Sequence, residues 1–240
     1  MEDKRKSDAT RNFDSERAQK YDQWIRTAVP GYEALHSMAH SLLWLDLEEQ
    51  ARLLIVGAGT GMELVHLSKS NPRWRFTGVD ASADMLAVAR QRVMEGTLSE
   101  RVTLHAGLAH ELPASEPYDA ATLILVMHFV PDNGGKLELL QSISTRLKPN
   151  APLILVDLHG DRTSDRFVRF MAAWRLRQIA LGMATEEVEE MFRRIPTNIH
   201  FVPEGRITAL LHEAGFGRIE PFYDALLFGG WVARRSTSGE

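Results

Sequence analysis

Three glycines at alternate positions are the first residues of this chain whose types and spacing could do chemistry. Gly57, Gly59 and Gly61 follow a run of four apolar residues and precede a segment with helical periodicity. Glycine can adopt positive φ, and because it has no Cβ atom it lets a ligand approach the backbone closely. A helix that begins behind such a turn offers free N–H groups and a positive dipole end to an anionic group. The stretch therefore predicts a turn that binds a nucleotide-type ligand.

The spacing of the glycines separates the classes of nucleotide. A dinucleotide-binding turn requires G-x-G-x-x-G, whereas the sixth position here is Met62, and the chain contains no Walker A run. Asp80 ends a second apolar stretch about 20 residues after the turn, where an acidic side chain can accept both hydroxyls of a ribose. A nicotinamide dehydrogenase is therefore disfavoured, and a ligand that carries a ribose is expected.

Three further side chains with acid–base chemistry follow the apolar stretches 118–126 and 152–158. His128 comes after the first stretch, and Asp157 and His159 lie at the end of the second. Ligands of open parallel sheets bind at the carboxyl edge, so these three are the catalytic candidates. A base is needed only where the group to be modified must lose a proton. The alternatives are a structural role for His128 and hydrogen bonding within a loop for Asp157 and His159.

The elements that must position these residues alternate between strands and helices. Strands are predicted at 53–56, 76–80, 101–104, 118–126 and 152–158, and helices at 62–69, 82–93 and 135–147. Ser82 is the predicted N-cap of the second of these helices. Such alternation predicts an α/β fold with a doubly wound parallel sheet and right-handed crossovers.

Two helices are predicted ahead of the first strand, and Pro30-Gly31 separates them. One face of the first helix is formed by Phe13, Arg17, Tyr21 and Trp24. The apolar stripe of the second, over 32–44, is formed by Leu35, Met38, Ala39, Leu42 and Leu43. Residues 13–45 would then be a cap that covers a sheet edge or folds over the glycine turn.

The last third of the chain breaks the alternation. Residues 160–203 are predicted to be helical, with an arginine-rich and aromatic composition, and would form an insert or lid. The arginines at 166–177 form a solvated helix face or recognise an acidic acceptor. A short helix closed by Gly215 follows, and the runs 218–223 and 226–233 predict a hairpin. A single domain over residues 1–240 is expected.

Composition narrows the function classes. The 240 residues are 44% hydrophobic and 25% charged, which is typical of a globular protein, and a net charge of −4 provides no general attraction to nucleic acid. Without cysteine there is no disulfide, zinc–cysteine site or thiol nucleophile, and no metal site is predicted. No apolar run approaches the roughly 20 residues of a membrane span. We expect a cytoplasmic protein with no membrane or nucleic-acid partner.

The glycine turn, the acidic end of the second strand and Asp84-Met85-Leu86 together resemble the class I S-adenosylmethionine-dependent methyltransferases. The resemblance implies a Rossmann-like, seven-stranded sheet whose last strand is antiparallel, and S-adenosylmethionine as the methyl donor. It implies in-line transfer to an acceptor, which asks mainly for positioning and for exclusion of water. The aromatic insert and the mild net charge favour a small-molecule acceptor.

A closer resemblance is to the carboxy-S-adenosylmethionine synthase branch, whose members convert S-adenosylmethionine and prephenate to the carboxylated cofactor. It rests on Phe13-Asp14, Val29-Pro30-Gly31-Tyr32, Leu211 to Phe216 and Phe228 to Ala233. Relatives are often dimeric, so a homodimer is an expectation. The cofactor contacts implied by the two resemblances are Tyr32, Gly57, Ala58, Gly59, Gly61, Asp80, Ala81, Met85, Leu108, Ala109 and Leu125. Among these, the turn would hold the amino-acid end, Asp80 and Ala81 the ribose, and Leu108 and Ala109 the adenine.

Several positions depart from the synthase pattern. Leu108 stands where those enzymes have Asp, Ile124 where they have Asn, and their carboxylate-binding Arg has no unambiguous counterpart, although Arg193 and Arg194 lie nearby. A buried carboxylate needs a cation or a donor, so these departures argue against carboxy transfer. An ordinary methyltransferase is the preferred interpretation. A prephenate-dependent synthase and a non-catalytic cofactor-binding protein remain the alternatives.

Two expectations follow for the cofactor site itself. The acidic residue that methyltransferases usually carry in the first strand is Ile55 in this chain. The adenine amine, without an Asp at 108, would be held by backbone carbonyls, His110 or Glu111.

Overall fold

A seven-stranded sheet positions the glycine turn and the acid–base residues. The computed structural model describes residues 15–237, with side chains from residue 20 onward, so the predictions for Phe13, Asp14 and the Arg17 side chain lie outside this part. The strands are β1 Arg52–Val56, β2 Arg75–Asp80, β3 Val102–Ala106, β4 Ala120–Ile124, β5 Pro152–Leu158, β6 Phe216–Ala225 and β7 Phe228–Arg235. Their order is β3-β2-β1-β4-β5-β7-β6, and β7 runs antiparallel to β5 and β6. The predicted doubly wound sheet with an antiparallel last strand is confirmed.

Helices connect the strands and flank the sheet. They are α1 Ser15–Ala28, α2 Tyr32–Asp46, α3 Met62–Ser70, α4 Ala83–Glu95, α5 Gly135–Ser144, α6 Asp165–Ala180, α7 Thr185–Asn198 and α8 Glu204–Glu213. Short 3-10 turns over Ala109–Glu111 and Met127–Phe129 follow β3 and β4. Within residues 15–237, no helix is long and apolar enough to cross a bilayer.

The central strands are buried on both faces of the sheet. Leu53 and Ile55 of β1 belong to one hydrophobic cluster, and Leu54 and Val56 belong to the other, because successive side chains of a strand point to opposite faces. All residues of β5 are buried. Continuous apolar runs are therefore the sequence pattern of these strands, as expected for parallel strands covered by helices on both sides.

Local signals fix two helix ends as predicted. The Ser82 hydroxyl accepts a hydrogen bond from the Met85 amide at 3.2 Å and caps α4. Gly215 follows α8 with a φ of 86°, which a residue with a side chain rarely adopts. The α4 stripe predicted to be buried, which includes Met85 and Leu86, is buried.

The fourth strand is shorter than predicted at both ends. Leu125 has a φ of 60°, which turns the chain out of the strand, and its amide donates to the Val156 carbonyl at 2.7 Å. Tyr118 forms only an isolated bridge with Leu147. The prediction of a strand over 118–126 was therefore wrong for both ends, and the turn at Leu125 directs the next residues back towards β5.

Two other sequence predictions need correction. Met38 was assigned to the buried stripe of α2, but it is 37% exposed, whereas Leu35, Ala39 and Leu43 are buried. The terminal hairpin is longer than predicted and turns at 226–227, where Leu226 has a φ of 60°.

The N-terminal helices fold over the glycine turn. Asp22 of α1 accepts a hydrogen bond from the Thr60 hydroxyl at 2.6 Å and forms an ion pair with Arg92 of α4. Arg92 also donates to the Thr60 carbonyl at 3.0 Å. The insert joins this cap, because the indole of Trp174 on α6 donates to the Ala28 carbonyl at 2.8 Å. Cap and insert therefore meet above the carboxyl edge of the sheet.

Candidate active site

Each of the three glycines of the turn is explained by a different neighbour of its Cα atom. A Cβ on Gly57 would lie 2.1 Å from Cγ2 of Val126, and one on Gly61 would lie 3.0 Å from Cβ of Ala89. These two glycines permit close packing against the β4 loop and against α4. Gly59 has a φ of 52°, and a Cβ there would meet the methyl carbon of Met85 at 3.5 Å and the Gly57 carbonyl oxygen at 3.9 Å, both ordinary contact distances. Gly59 is therefore the position of the turn that best fits the close approach of a ligand.

The amide donors of the turn already have partners inside the protein. The amides of Gly57 and Ala58 both donate to the Val79 carbonyl, at 2.8 and 3.1 Å, and the Gly59 amide donates to Asp80. These amides are therefore not free to bind an anionic group. The amides at the start of α3 are better candidates, because the N-cap Gly61 provides no side-chain hydrogen bond to them.

Asp80 is fixed at the end of β2 by two backbone donors. Oδ2 accepts from the Gly59 amide and Oδ1 from the Ser82 amide, each at 2.8 Å. Burial raises the pKa of Asp80, and these two hydrogen bonds oppose that rise. Each oxygen keeps a further lone pair, so the carboxylate fits two ribose hydroxyls. Ala81 follows it and is half-buried.

Two tyrosines of the cap lie close to the turn. Burial raises the pKa of Tyr21, and Tyr32, Asp80 and Asp22 raise it further, so Tyr21 lies near the Asp80 carboxylate. Burial and then the Glu63 charge raise the pKa of Tyr32, whose ring packs edge-on against His36 at 4.5 Å between centroids. Both side chains are neutral phenols at physiological pH.

The adenine region is predicted at the end of β3. Glu111 accepts a hydrogen bond from the Leu108 amide at 2.7 Å. Ala109 is buried in the core, Leu108 is half-buried, and His110 is exposed. Glu111 is therefore the acidic side chain that the structure holds at this strand end, where Leu108 replaces an Asp.

His128 and Asp157 form a buried pair at the ends of β4 and β5. Nδ1 of His128 bonds to Oδ1 of Asp157, and the His128 amide donates to Oδ2 at 2.9 Å. The Leu158 amide also donates to Oδ1 at 2.7 Å. Because a carboxylate only accepts, the proton of a neutral His128 lies on Nδ1 and Nε2 is the basic nitrogen. Nε2 forms no hydrogen bond within residues 15–237.

Sequence reasoning missed Lys136, a buried positioning residue behind this pair. Its Nζ donates to the Met127 carbonyl at 2.7 Å and so braces the 3-10 turn that carries His128. Burial lowers the pKa of Lys136, while the charges of Asp157 and then Asp132 oppose that fall. A signal was present in the sequence, since Lys136 lies at helical spacing on the apolar stripe of α5 with Leu140.

His159 lies apart from the other two catalytic candidates. Its ring packs edge-on against Trp231 at 5.3 Å, and its buried Nε2 has no hydrogen-bond partner in the described part of the chain. His159 does not line the cavity described next. Its predicted catalytic role therefore gains no support from its position.

A cavity of about 720 Å³ opens beside His128. Its walls come from the cap, the insert and the carboxyl ends of β4 and β5. The apolar lining consists of Tyr21, Trp24, Ile25, Ala28, Val29, Leu125, Phe129, Leu158, Trp174, Met191, Ile195, Ile199 and Phe228. The polar and charged residues of its lining are Lys20, His128, Glu186, Glu187, Glu190, Arg194 and Asn198. Tyr21 links this cavity to Asp80, so the two halves of the site are adjacent.

The seven-stranded sheet, the glycine turn after β1 and the acidic end of β2 define the Rossmann-like methyltransferase fold. The family model described as a methyltransferase domain matches residues 54–153, which span β1 to the start of β5. These matches support a class I S-adenosylmethionine-dependent methyltransferase, and S-adenosylmethionine, the methyl donor of such enzymes, is the cofactor.

Relatives match nearly the whole chain. A demethylmenaquinone methyltransferase of Lactiplantibacillus plantarum is 24% identical over 226 residues, which cover 88% of this chain and 92% of the relative. A carboxy-S-adenosyl-L-methionine synthase of Campylobacter hominis is 22% identical and covers 93% and 94%. The apo structure of the S-adenosylmethionine-dependent methyltransferase SibL is 19% identical with a TM-score of 0.58, covering 86% of this chain and 57% of SibL. At this identity, the similarity to SibL is a similarity of fold.

Proposed function

We propose that this enzyme transfers a methyl group from S-adenosylmethionine to an apolar small molecule that carries an acidic hydroxyl group, with His128 as the general base. The observation that carries the proposal is the His128–Asp157 pair, which lines an apolar cavity next to the ribose site. Since methyl transfer by itself needs no base, a positioned histidine points to an acceptor that must lose a proton.

The acid–base work belongs to the side chains of this protein. The bound cofactor supplies a methyl group already activated by a sulfonium. Nε2 of His128 accepts the hydroxyl proton of the acceptor, and Asp157 stabilises the imidazolium through its bond to Nδ1. Lys136 holds the turn in place from behind. The apolar walls exclude water and strengthen each of these interactions.

The lining of the cavity favours a flat, uncharged acceptor. Trp174 and Phe228 pack edge-on at 5.1 Å and form a rigid aromatic wall, and Ile195 is buried beside them. The volume lies within the range of small-molecule sites. An aromatic ring with a hydroxyl group fits, since deprotonation makes either the oxygen or a ring carbon nucleophilic. The demethylmenaquinone methyltransferase relative supports an acceptor of this kind.

Cofactor contacts follow from the same geometry. We assign the ribose hydroxyls to Asp80 and the adenine region to Leu108, Ala109 and Glu111. The carboxylate of the methionyl group is assigned to the start of α3, which has no side-chain cap. Tyr21 and Leu125 line the cavity, and the charge of Asp80 raises the pKa of Tyr21, so we place the methyl group of the cofactor on this side.

Carboxy-S-adenosylmethionine synthesis is the second candidate, because the match to the synthase covers most of both chains. Its anionic co-substrate would need a cation. Arg193 is exposed and ion-paired with Glu190, and Arg194 also bonds to Glu190, at 2.6 Å. Arg194 lines the cavity, but its charge is paired with Glu190. Because neither arginine is an unpaired cation, methyl transfer is our first choice.

Mass spectrometry of reaction mixtures tests the two functions together. The enzyme is incubated with S-adenosylmethionine and either a panel of naphthols and catechols or prephenate. Formation of S-adenosylhomocysteine with a methylated phenol supports the proposal. Formation of the carboxylated cofactor with prephenate, and no methylated phenol, would replace it by the second candidate.

Filling the cavity should block the acceptor and spare the cofactor. We expect Met191→Trp to lower kcat/KM for a phenolic acceptor about tenfold or more, because Met191 lines the cavity and a bulkier side chain occupies acceptor space. The Kd for S-adenosylhomocysteine should stay unchanged by calorimetry. Met94→Trp is the matched control, since Met94 is 70% exposed on α4. An unchanged kcat/KM in Met191→Trp would contradict the location of the acceptor.

A further inference from the structure

Glu63 is an acidic side chain with a buried carboxyl group, directly behind the glycine turn. It is the second residue of α3, and its Oε1 atom is buried and forms no hydrogen bond within the described residues. Thr122 of β4 lies beside the carboxyl group and lowers its pKa through its hydroxyl, although neither that hydroxyl nor Oε1 of Glu63 reaches full hydrogen-bond geometry. Burial raises the pKa of Glu63 to about 7, and Thr122 opposes that rise. A buried polar group without a partner is costly for folding, so its presence calls for a reason.

The other carboxylates around the turn differ from Glu63 in this respect. Asp22 is bound by Thr60 and Arg92, and Asp80 by two backbone amides. The titratable side chain that faces Glu63 from α2 is Tyr32. Within residues 20–237, no lysine, arginine or histidine forms an ion pair with Glu63. Glu63 is therefore a buried carboxyl group that has no cationic partner in the part of the chain that the structure describes.

The neighbouring strand explains why an acidic residue is useful on this helix. Thr122 pairs in register with Ile55 of β1, so the two side chains lie on the same face of the sheet. Ile55 is fully buried in the hydrophobic core and offers no polar atom. Glu63 thus brings a carboxyl group to the face of β1 on which the strand itself is apolar.

We propose that Glu63 binds the α-ammonium group of the methionyl part of S-adenosylmethionine. This inference rests on the cofactor role of the glycine turn. The amino-acid end of the ligand carries an anion and a cation, and the start of α3 offers one partner for each. The uncapped N-terminus of the helix takes the carboxylate. Glu63, one residue further along the helix, takes the ammonium through a charge-assisted hydrogen bond.

Binding of the ammonium group at Glu63 should release a proton from its carboxyl group. The carboxyl group of the empty protein is about half protonated near pH 7, since burial raises its pKa to about 7. An ammonium ion at the same place favours the ionised form and releases the proton to the buffer. At pH 6.5 the ligand's amino group stays protonated, so the released proton comes from the protein.

Titration calorimetry in phosphate and imidazole buffers at pH 6.5 measures this release. We expect the wild type to release more than about half a proton on binding S-adenosylhomocysteine. In Glu63→Gln we expect no release and a Kd about 10–100-fold higher. 5′-Methylthioadenosine lacks both the ammonium and the carboxylate, so it should bind the wild type and Glu63→Gln equally. Glu95→Gln, an exposed change on α4, is the control and should behave like the wild type.

The outcomes separate this inference from the function on which it rests. If the wild type binds S-adenosylhomocysteine without releasing a proton, and Glu63→Gln binds it equally well, Glu63 does not hold the ammonium and the cofactor site stands. If the wild type binds neither S-adenosylhomocysteine nor S-adenosylmethionine, the cofactor role of the turn fails and this inference fails with it.

Thermal melting of the ligand-free proteins checks the same residue without the cofactor. The folded pKa of Glu63 lies above its ordinary value of 4.5, so the protonated form favours folding and wild-type stability falls as pH rises from about 5 to about 7. Glutamine does not ionise. We therefore expect a higher Tm for Glu63→Gln than for the wild type at pH 8, and similar values at pH 5. A lower Tm for Glu63→Gln at pH 8 would show that Glu63 has a stabilising partner, which would overturn the inference.

Discussion

Replacing His128 by alanine is expected to lower kcat by about 10²–10⁴-fold, the range typical of a lost general base. The physical reason is that Nε2, the free nitrogen of the His128–Asp157 pair, lies at the cavity and accepts the acceptor's proton. The Kd of S-adenosylhomocysteine should change little, because we assign the ribose to Asp80 and not to this pair. Single-turnover kinetics with a phenolic acceptor and calorimetry with the product measure the two quantities separately.

The pH dependence distinguishes a base from a packing residue. The wild-type rate should fall at low pH, because a protonated imidazole cannot accept a proton, and this acid limb should be absent in His128→Ala. An acceptor whose hydroxyl is more acidic should be methylated by the variant with a smaller loss. Equal losses for acceptors of different acidity, with the acid limb retained, would show that His128 only shapes the cavity.

Two neighbouring positions serve as controls for His128. Asp157→Asn keeps the shape but removes the charge that stabilises the imidazolium, so we expect a reduced kcat with the KM of the acceptor nearly unchanged. His159→Ala also removes a buried histidine, yet that ring packs on Trp231 away from the cavity. It should lower Tm and leave the shape of the pH–rate profile unaltered.

The fold was accessible from the sequence because its main signals are local. A run of apolar residues gives β5 with its observed bounds, Pro152–Leu158, and the hydroxyl of Ser82 caps α4 as expected. Strand–helix alternation then selects the parallel doubly wound sheet with little further choice. Gly215 marks a helix end through its backbone conformation, which is again a property of one residue.

The failures arise where tertiary contacts override local preference. Leu125 has a sequence suited to a strand, but the bond from its amide to Val156 and its positive φ turn the chain towards Asp157. A residue with a side chain held at positive φ is strained, and such strain is common next to functional sites. Met38 matched the helical stripe of α2, yet nothing in its own sequence neighbourhood shows that this edge of the helix faces solvent.

Some features of the candidate site could also be predicted from the sequence, and others could not. Topology alone predicts that the ends of β4 and β5 meet, so the pairing of His128 with Asp157 could be foreseen as a neighbourhood. Sequence cannot show that the next histidine, His159, turns to the other side against Trp231. Lys136 is marked in the sequence only by its place on the apolar stripe of α5. Glu63 looks like an ordinary helix residue, and only the folded structure shows that its carboxyl group is buried.

Replacing Asp80 by alanine is expected to raise the Kd of S-adenosylhomocysteine by about 10²–10⁴-fold. Each hydrogen bond to a charged acceptor contributes about 1.5–3 kcal/mol, and the ribose offers two hydroxyls to this carboxylate. The change also removes the partner of the Gly59 amide and so loosens the turn on which the ligand lies. Asp84→Asn is the matched control, since Asp84 is an exposed acid only a few residues away on α4.

The two acidic residues at the turn should respond differently to the two ligands. 5′-Methylthioadenosine keeps the ribose but lacks the ammonium, so Asp80→Ala should weaken its binding about as much as it weakens S-adenosylhomocysteine. Glu63→Gln should weaken S-adenosylhomocysteine alone. If Asp80→Ala binds both ligands like the wild type, the ribose lies elsewhere and the end of β2 has only a structural role. The crossed pattern, two variants against two ligands, therefore assigns each carboxylate to one end of the cofactor by binding alone, without knowledge of the acceptor.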